Sequence, residues 1–334
     1  MLKPTVAVII AAYNASETIS RSIKSALSEP SVSEVIVVDD CSTDDTVATA
    51  KFASAGDSRF KLLTQSTNLG PSAARNRAID ESKAELIAIL DADDVFLKGR
   101  LDPMLKELDW DLCADNIYFV TDEKDIPTLA LDPSPSRLPI VAIDIVSFIE
   151  GNISSPGNFR GELGFLKPII RKDTLIRYGI RYNERCRLGE DFLLYFELLA
   201  RGAKFRLISD CGYAGLIRAN SLSGKHRLAD IEALYEESRE LQSRLLLSKE
   251  TQISLLRHTS QLKQKIDERR AIAIRHEKGI LLGVVFALSH PRAALSLLRS
   301  RVRGSLNGHA STRRLLTDQD YHRLSIWPVQ RSLD

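Results

Sequence analysis

The first hundred residues alternate between short runs of consecutive apolar residues and segments in which apolar residues recur every three or four positions. A short continuous apolar run predicts a buried strand, and the wider spacing predicts an amphipathic helix. The predicted strands are 6–12, 34–38, 60–64 and 86–90, and the predicted helices are 15–27, 45–55 and 71–82. Because repeated strand–helix units build a mostly parallel sheet flanked by helices, we expect an α/β fold.

Each predicted helix has a suitable residue at its start. Asn14 can cap the first helix, with Glu17 three residues later completing a capping box. Ser42 or Thr43 can cap the second helix. Pro71 opens the third helix, where proline is tolerated because an N–H at that position would lack a helical partner.

The pattern is weaker after residue 101. It predicts strands at 116–120 and 164–170, helices at 173–178 and 191–201, and a proline-rich loop over 121–139. From residue 226 to residue 266 apolar residues recur at helical spacing, which predicts long helices rather than more sheet. We therefore predict a boundary near Gly224, with an α/β domain over 1–224 and a helical extension over 225–334.

The charge along the chain is uneven. The net charge of +2 gives no indication of nucleic-acid binding, and 44% hydrophobic residues is ordinary for a soluble globular protein. The residues from Arg257 onward contain fifteen Lys/Arg and six Asp/Glu, so this part carries +9 and the first 256 residues carry −7. Apolar positions within 281–288 and 295–298 accompany that basic charge. Such a basic amphipathic tail is typical either of peripheral contact with an anionic inner membrane or of a helical cap or dimerisation surface.

The cysteines and the apolar runs indicate a cytoplasmic location. The four cysteines are widely separated and form no CxxC pair, so neither a disulfide framework nor a zinc ribbon is predicted. The apolar run near the first residue is too short for a signal peptide, and the run over 279–288 falls short of the ~20 residues that span a membrane.

Acidic residues follow two of the predicted strands. Asp39 and Asp40 come directly after the second strand, and Asp91, Asp93 and Asp94 come after the fourth. Ligands of open α/β sheets bind at the carboxyl ends of the strands, so these five acids lie where a ligand is expected. Carboxylates placed this close repel each other unless a cation or hydrogen-bond donors compensate them. This indicates a divalent ion, Mg²⁺ or Mn²⁺, that bridges to a nucleoside diphosphate.

The sequence lacks two common nucleotide-binding motifs. The chain reads Ala11-Ala-Tyr-Asn14 with no glycine, whereas a turn that holds NAD or FAD needs G-x-G-x-x-G at this position. No GxxxxGK[ST] loop occurs anywhere in the sequence.

Five motifs in order resemble those of family 2 glycosyltransferases of the GT-A, nucleotide-diphospho-sugar transferase fold. The resemblance covers roughly residues 4 to 220, and among bacterial members it is greatest to exopolysaccharide enzymes of the succinoglycan type. The motifs are Val6-Ala-Val-Ile-Ile-Ala-Ala-Tyr-Asn14, Val37-Val-Asp-Asp-Cys-Ser-Thr-Asp44, Asn68-Leu-Gly-Pro-Ser-Ala-Ala-Arg-Asn76, Leu90-Asp-Ala-Asp-Asp94 and Gly189-Glu-Asp191.

The resemblance implies a role for each matching donor-side residue. Tyr13 would lie against the nucleobase, and Asp40 would accept a hydrogen bond from the base or ribose. In the DxD element, Asp91 would face the ribose and Asp93 would bind the metal. Arg75 would lie near the diphosphate, together with the asparagine that follows it.

The resemblance also implies the reaction. Asp191 matches the catalytic base that takes the proton of the acceptor hydroxyl, and a single displacement inverts the anomeric centre. The expected activity is a hexosyltransferase that uses a UDP-sugar and a glycan acceptor, lipid-linked, in exopolysaccharide or surface polysaccharide synthesis. Ala11 and Cys41 depart from the family pattern, at positions where proline and glycine are common. The segment with Arg218, Ser221 and Ser223 resembles the one that closes over the donor.

Several of these residues also have simpler interpretations. Tyr13 could be a core aromatic at a strand end, Asp39 and Asp94 could cap helices, and Arg75 could be an exposed helical arginine. For Asp39 we favour the cap.

Two other function classes fit part of the sequence. Asp91-Ala-Asp-Asp-Val95 also satisfies the nucleophile motif of haloacid-dehalogenase-like phosphotransferases, but that motif belongs on an opening strand and here follows the fourth. The other alternative is a catalytically inactive sugar-nucleotide-fold subunit of a membrane assembly. Retention of Asp40, Asp93 and Asp191 argues against it.

Overall fold

The computed structural model of the protein describes residues 4–128, 140–154, 162–217, 227–279, 282, 289–290 and 312–331. Ten strands in this part of the chain form a single mixed sheet. They are β1 Val6–Ala12, β2 Val32–Asp39, β3 Phe60–Thr64, β4 Leu86–Ile89, β5 Val95–Phe96, β6 Leu112–Val120, β7 Val141–Ile143, β8 Ile169–Arg171, β9 Phe205–Leu216 and β10 Thr312–Arg314.

Helices flank the sheet, and two 3₁₀ turns lie at Glu123–Thr128 and Leu163–Phe165. The α-helices are α1 Ile19–Leu27, α2 Thr46–Ala53, α3 Pro71–Glu81, α4 Leu101–Met104, α5 Ile145–Gly151, α6 Lys172–Tyr178, α7 Glu190–Ala200, α8 Leu228–Arg244, α9 Lys249–Lys278 and α10 Asp318–Arg331.

The strands run in the order β3-β2-β1-β4-β8-β6-β9-β5, with β10 added to β6 and β7 added to β9. Strands β1 to β4 are parallel to their neighbours among themselves, and β8 is antiparallel to both β4 and β6. The carboxyl ends of β1, β2 and β4 therefore meet at one edge, and the reversal at β8 brings a later part of the chain beside β4. This topology confirms the predicted α/β fold.

The apolar runs of the first hundred residues gave accurate strands, with β1 and β3 at their predicted bounds. The predicted cap at Asn14 is wrong, because α1 begins only at Ile19. The Asn14 N–H donates to Ser42 Oγ at 2.9 Å, and its Oδ1 accepts from the Thr43 N–H at 2.8 Å. Asn14 thus ties together the loops that follow β1 and β2, with a positive φ of 48°.

The part of the chain after residue 101 differs more from the prediction. The strand expected at 164–170 is a 3₁₀ turn followed by β8, and the twelve-residue β9 was not predicted at all. Polar residues and glycines interrupt β9, since Asp210, Gly212 and Gly215 lie inside it. Nevertheless β9 pairs with β6 along most of its length, and it also pairs with the short strands β5 and β7.

The long helices predicted after residue 226 are α8 and α9, but β10 shows that this part also adds to the sheet. Buried residues of α8, α9 and the segment 315–324 belong to the same apolar cluster as the sheet. Asn116 in β6 donates through Nδ2 to the Leu316 carbonyl at 2.8 Å and accepts from its N–H at 3.0 Å. The predicted boundary near Gly224 lies outside the described residues and stays a prediction.

Three of the four cysteines are buried, and all four are free thiols. Within the described ranges, none of the helices has both the length and the apolar character needed to cross a bilayer. The apolar stretches at 283–288 and 295–298, which accompany the basic charge, lie outside those ranges.

A buried ion pair joins β6 to the turn before α4. Arg100 and Asp115 are 2.7 Å apart at Nη2 and Oδ1, and both are almost inaccessible to water. The Gly212 N–H donates to the Asp115 carboxylate at 2.9 Å, and the Arg100 guanidinium lies over the Tyr213 ring. A Cβ at Gly212 would lie 2.6 Å from Arg100 Cγ, so only glycine fits beside this pair.

We expect Gly212→Ala to lower the free energy of unfolding by about 1–3 kcal/mol, since the methyl group must displace a buried side chain that is already paired. Gly215→Ala is the matched control on the same strand, because its nearest atom would be 3.5 Å away, at ordinary contact distance. Thermal and urea unfolding followed by circular dichroism measures both. Equal stabilities for the two variants would contradict this account.

Candidate active site

The residues after β1 and β2 form one side of the site. Tyr13 follows β1 directly, and its side chain is half exposed, which rules out the core interpretation. Asp39 and Asp40 are both buried at the carboxyl end of β2. Cys41 follows them with a positive φ of 64°, which explains in physical terms why glycine is common at this position.

The two adjacent acids have different surroundings. The Asp40 carboxylate accepts hydrogen bonds from Gln65 Nε2 at 2.7 Å and from the backbone N–H groups of Leu69 and Gly70 at 2.8 and 2.7 Å. It therefore fixes the loop before α3. The Asp39 carboxylate accepts from the Ser42 N–H, at 3.1 Å through Oδ2, while its buried Oδ1 has no hydrogen-bond partner among the described residues.

Arg75 is central to the other side of the site. It lies on α3, and its guanidinium is buried rather than exposed. Nη2 contacts Asp91 Oδ1 and Nη1 contacts Glu190 Oε1, each at 2.8 Å, while Asp191 Oδ1 is 3.9 Å from Nη1. Burial opposes the charge, but the surrounding carboxylates, Asp191 first, raise the pKa of Arg75 well above its usual value.

A second buried cation was not predicted. Lys167 precedes β8, and its Nζ lies 2.7 Å from Asp191 Oδ2 and 3.0 Å from Asp91 Oδ2. Although burial works against ionisation, Lys167 and then Arg75 hold the pKa of Asp91 well below its usual range. A lysine inside the apolar segment Gly164-Phe-Leu-Lys-Pro-Ile-Ile170 was the available indication in the sequence.

Asp94 does not cap a helix. Its carboxylate accepts from the Tyr213 hydroxyl at 2.6 Å and from the Leu216 N–H at 3.0 Å, so it fastens the DxD loop to β9. Burial, reinforced by the neighbouring Asp93 and Asp91, raises its pKa well above the usual value. Asp93 is on the same loop and is partly exposed.

Asp191 is in the first turn of α7, at the end of the helix where the dipole favours a carboxylate. The helix begins after Gly189, whose φ is 71° and whose added Cβ would lie 2.7 Å from Leu234 Cδ2 of α8. Only glycine permits this turn and this packing. Helix α8 thus supports the start of the helix that holds Asp191.

The site as a whole shows how the acids are compensated. Arg75 and Lys167 pair with Asp91, Glu190 and Asp191, while backbone, amide or hydroxyl donors bind Asp40 and Asp94. Throughout the described ranges, no group of three His, Cys, Asp or Glu side chains could hold a metal on its own. Arg218, Ser221 and Ser223 lie outside those ranges.

Comparisons with known proteins identify the family. The model of "Glycosyl transferase family 2" matches residues 7–172. The chain is 43% identical over 299 residues to the succinoglycan biosynthesis protein ExoU of Rhizobium meliloti (strain 1021), over 88% of this chain and 85% of the relative. The chain belongs to glycosyltransferase family 2. This membership excludes the phosphotransferase alternative and makes the protein a glycosyltransferase, as the five motifs predicted.

Two further matches are to a bacterial enzyme and to a solved structure. The chain is 40% identical over 116 residues to the Escherichia coli enzyme WfgD, a UDP-Glc:alpha-D-GlcNAc-diphosphoundecaprenol beta-1,3-glucosyltransferase, covering 34% of this chain and 44% of WfgD. The crystal structure of S. aureus TarS 1-349 in complex with UDP-GlcNAc matches with a TM-score of 0.58 and 20% identity, over 82% of this chain and 74% of TarS. The fold of this chain is the GT-A fold.

Proposed function

We propose that the protein transfers a sugar from a UDP-sugar to a hydroxyl of a glycan acceptor, with inversion, in bacterial exopolysaccharide or surface polysaccharide synthesis. The supporting observation is the single ammonium of Lys167, which lies within 3.0 Å of both Asp91 of the DxD element and Asp191 of the Gly-Glu-Asp motif. A donor-side acid and a candidate base are thereby held next to each other at the ligand-binding edge of the sheet.

In this proposal Asp191 takes the proton of the acceptor hydroxyl as its oxygen attacks the anomeric carbon. The bond from that carbon to the diphosphate oxygen breaks in the same step, and the nucleoside diphosphate leaves. With one displacement and one base, an α-linked donor gives a β-glycoside. The Arg75 guanidinium, on the inner side of the DxD loop, adds positive charge near the departing diphosphate.

We propose that Mg²⁺ or Mn²⁺ assists the leaving group. The acidic side chains of the site can hold such an ion only together with ligands from the substrate, because Mg²⁺ is commonly held by one or two carboxylates together with substrate phosphates. Asp93 is the protein residue that would hold it. The bound ion would supply positive charge to the diphosphate as the glycosidic bond breaks.

The nucleoside half lies, in our proposal, between Tyr13 and the end of β2. The half-exposed Tyr13 ring offers a stacking surface for the base. The sequence favoured Asp40 as the partner of the base or ribose, but its carboxylate already accepts three hydrogen bonds from the 65–70 loop. We therefore assign the direct contact to Asp39 Oδ1, which is buried with no partner among the described residues, and the ribose side to Asp91.

The proposed acceptor is a lipid-linked glycan, since WfgD acts on a diphosphoundecaprenol-linked sugar. An enzyme with such an acceptor works at a membrane surface. We propose that the protein is cytoplasmic and binds the inner face of the cell membrane peripherally through its basic residues beyond Arg257.

Release of nucleoside diphosphate, measured with a set of UDP-sugars and lipid-linked acceptors, tests the activity. Asp191→Asn should lower kcat by ~10²–10⁴-fold with donor affinity preserved, since only the base is lost. Asp93→Ala should abolish turnover at any concentration of Mg²⁺ or Mn²⁺. Asp80→Asn, which alters an exposed ion pair with Arg181, is the control and should remain fully active. Full activity of Asp191→Asn would refute the base, and a wild type that releases nothing would favour the inactive-subunit alternative.

The two acids of β2 should respond differently to an amide. Asp39→Asn should weaken UDP binding by ~1–3 kcal/mol, measured by calorimetry, with an unchanged melting temperature, because only a ligand contact is altered. Asp40→Asn should weaken UDP binding and also lower the melting temperature, because its carboxylate holds the 65–70 loop. If Asp39→Asn binds UDP like the wild type while Asp40→Asn melts normally and loses affinity, Asp40 is the direct ligand.

Membrane contact is tested on the full chain by co-sedimentation with phosphatidylglycerol and phosphatidylcholine vesicles. The wild type should bind only the anionic vesicles, and a variant with Arg292, Arg299, Arg301 and Arg303 changed to Gln should lose most of this binding, at ~1 kcal/mol per basic residue. The control makes the same charge change at the exposed residues Lys51, Lys61, Lys98 and Lys106. Equal binding to both kinds of vesicle, or none, would favour a cap or dimerisation surface.

A further inference from the structure

The backbone around Lys167 is fixed from two directions. The carbonyl of Leu166 accepts a hydrogen bond from the Tyr195 hydroxyl at 3.1 Å, and the carbonyl of Lys167 accepts one from Arg100 Nη2 at 2.6 Å. Tyr195 lies on α7, one turn after Asp191, so the helix that holds Asp191 also holds the segment that presents Lys167 to it. Arg100 is anchored in turn by Asp115.

The ammonium of Lys167 is buried, and its side chain is only 9% exposed. Burying an ammonium is unfavourable unless carboxylates pair with it closely, and here two of them do, at 2.7 and 3.0 Å. Their geometry leaves the two oxygens of Asp191 unlike each other. Oδ2 is hydrogen-bonded to Lys167. Oδ1 is buried, lies 3.9 Å from Arg75 Nη1 and has no hydrogen-bond partner among the described residues.

We propose that Lys167 is a positioning residue for glycosyl transfer: it holds Oδ2 of Asp191 so that Oδ1 is directed at the acceptor hydroxyl. The inference rests on the proposed function, because it assigns a partner to the base of that reaction. Lys167 acts through Asp191 and does not contact the substrate.

The two carboxylates that share Lys167 do not depend on it equally. Without the ammonium, Asp91 keeps its 2.8 Å contact with Arg75, but Asp191 loses its hydrogen-bonded cation. Binding of the sugar donor should therefore depend less on Lys167 than the positioning of Asp191 does. Turnover should fall much more than donor affinity.

The experiment compares Lys167→Met with Lys167→Arg and with the control Lys172→Met. Lys172 is near in sequence but donates to a backbone carbonyl, that of Ser82, at 2.5 Å. Lys167→Met should lower kcat roughly 10- to 100-fold, the range for losing a group that orients a functional ligand, with the donor KM nearly unchanged. Lys167→Arg should recover part of kcat, and Lys172→Met should match the wild type. Unchanged kcat in Lys167→Met, or a donor KM that rises as much as kcat falls, would overturn the proposal.

A double-mutant cycle separates positioning from general stabilisation. If Lys167 acts through Asp191, then Lys167→Met combined with Asp191→Asn should be no slower than Asp191→Asn alone. A further drop equal to that of the single variant would show that Lys167 acts independently and would overturn the proposal. If Lys167→Met proves too unstable to assay, Lys167→Gln replaces it in the same cycle, because it keeps a donor for Asp191 without the charge.

Different results would refute the proposed function and the role of Lys167. A wild-type enzyme that releases no nucleoside diphosphate with any donor overturns the proposed function, and this inference with it. An active wild type with a fully active Lys167→Met overturns the inference alone.

Discussion

The structure depends on a cluster of buried charge in which Arg75 and Lys167 face Asp91, Glu190 and Asp191. In a medium of low polarity each of these groups is tolerable only while the others are present, because an unpaired buried charge is strongly destabilising. Four parts of the chain meet there: α3, the loop after β4, the segment before β8 and the start of α7. Their relative positions are thus fixed by charge balance as well as by apolar packing.

A second polar layer lies behind this cluster. Arg100 pairs with Asp115 and donates to the Lys167 carbonyl, and Asp94 binds Tyr213 of β9. Both contacts converge on the glycine-containing middle of β9, which passes close to Arg100. A strand with a larger residue at 212 would collide with Arg100, and a strand without Tyr213 would leave Asp94 without its hydroxyl donor. The unusual composition of β9 therefore follows from its position beside the site.

Burial can be predicted from the sequence, whereas polar contacts between distant residues cannot. β1 and β3 were predicted at their true bounds because continuous apolar runs reflect burial on both faces of a parallel sheet. β9 was missed because its residues serve polar neighbours that are distant in sequence. The crowding of the acids could be predicted, but the part of Lys167 in compensating them could not, since its pairing with Asp91 and Asp191 arises only from the folded topology. Asp39 and Asp40 are adjacent in sequence, and only their hydrogen bonds distinguish them.

The pairing of Asn116 with the backbone of Leu316 has a consequence for synthesis of the protein in the cell. The two residues are 200 positions apart, so at ribosomal speeds of about 5–20 residues per second the amide of Asn116 waits roughly 10–40 s for its partner. During that interval the last residues of β6, 118–120, lack their partner strand, because β10 has not yet been made. Until then these residues form a short open sheet edge, and an unpaired edge of this kind can pair with another chain.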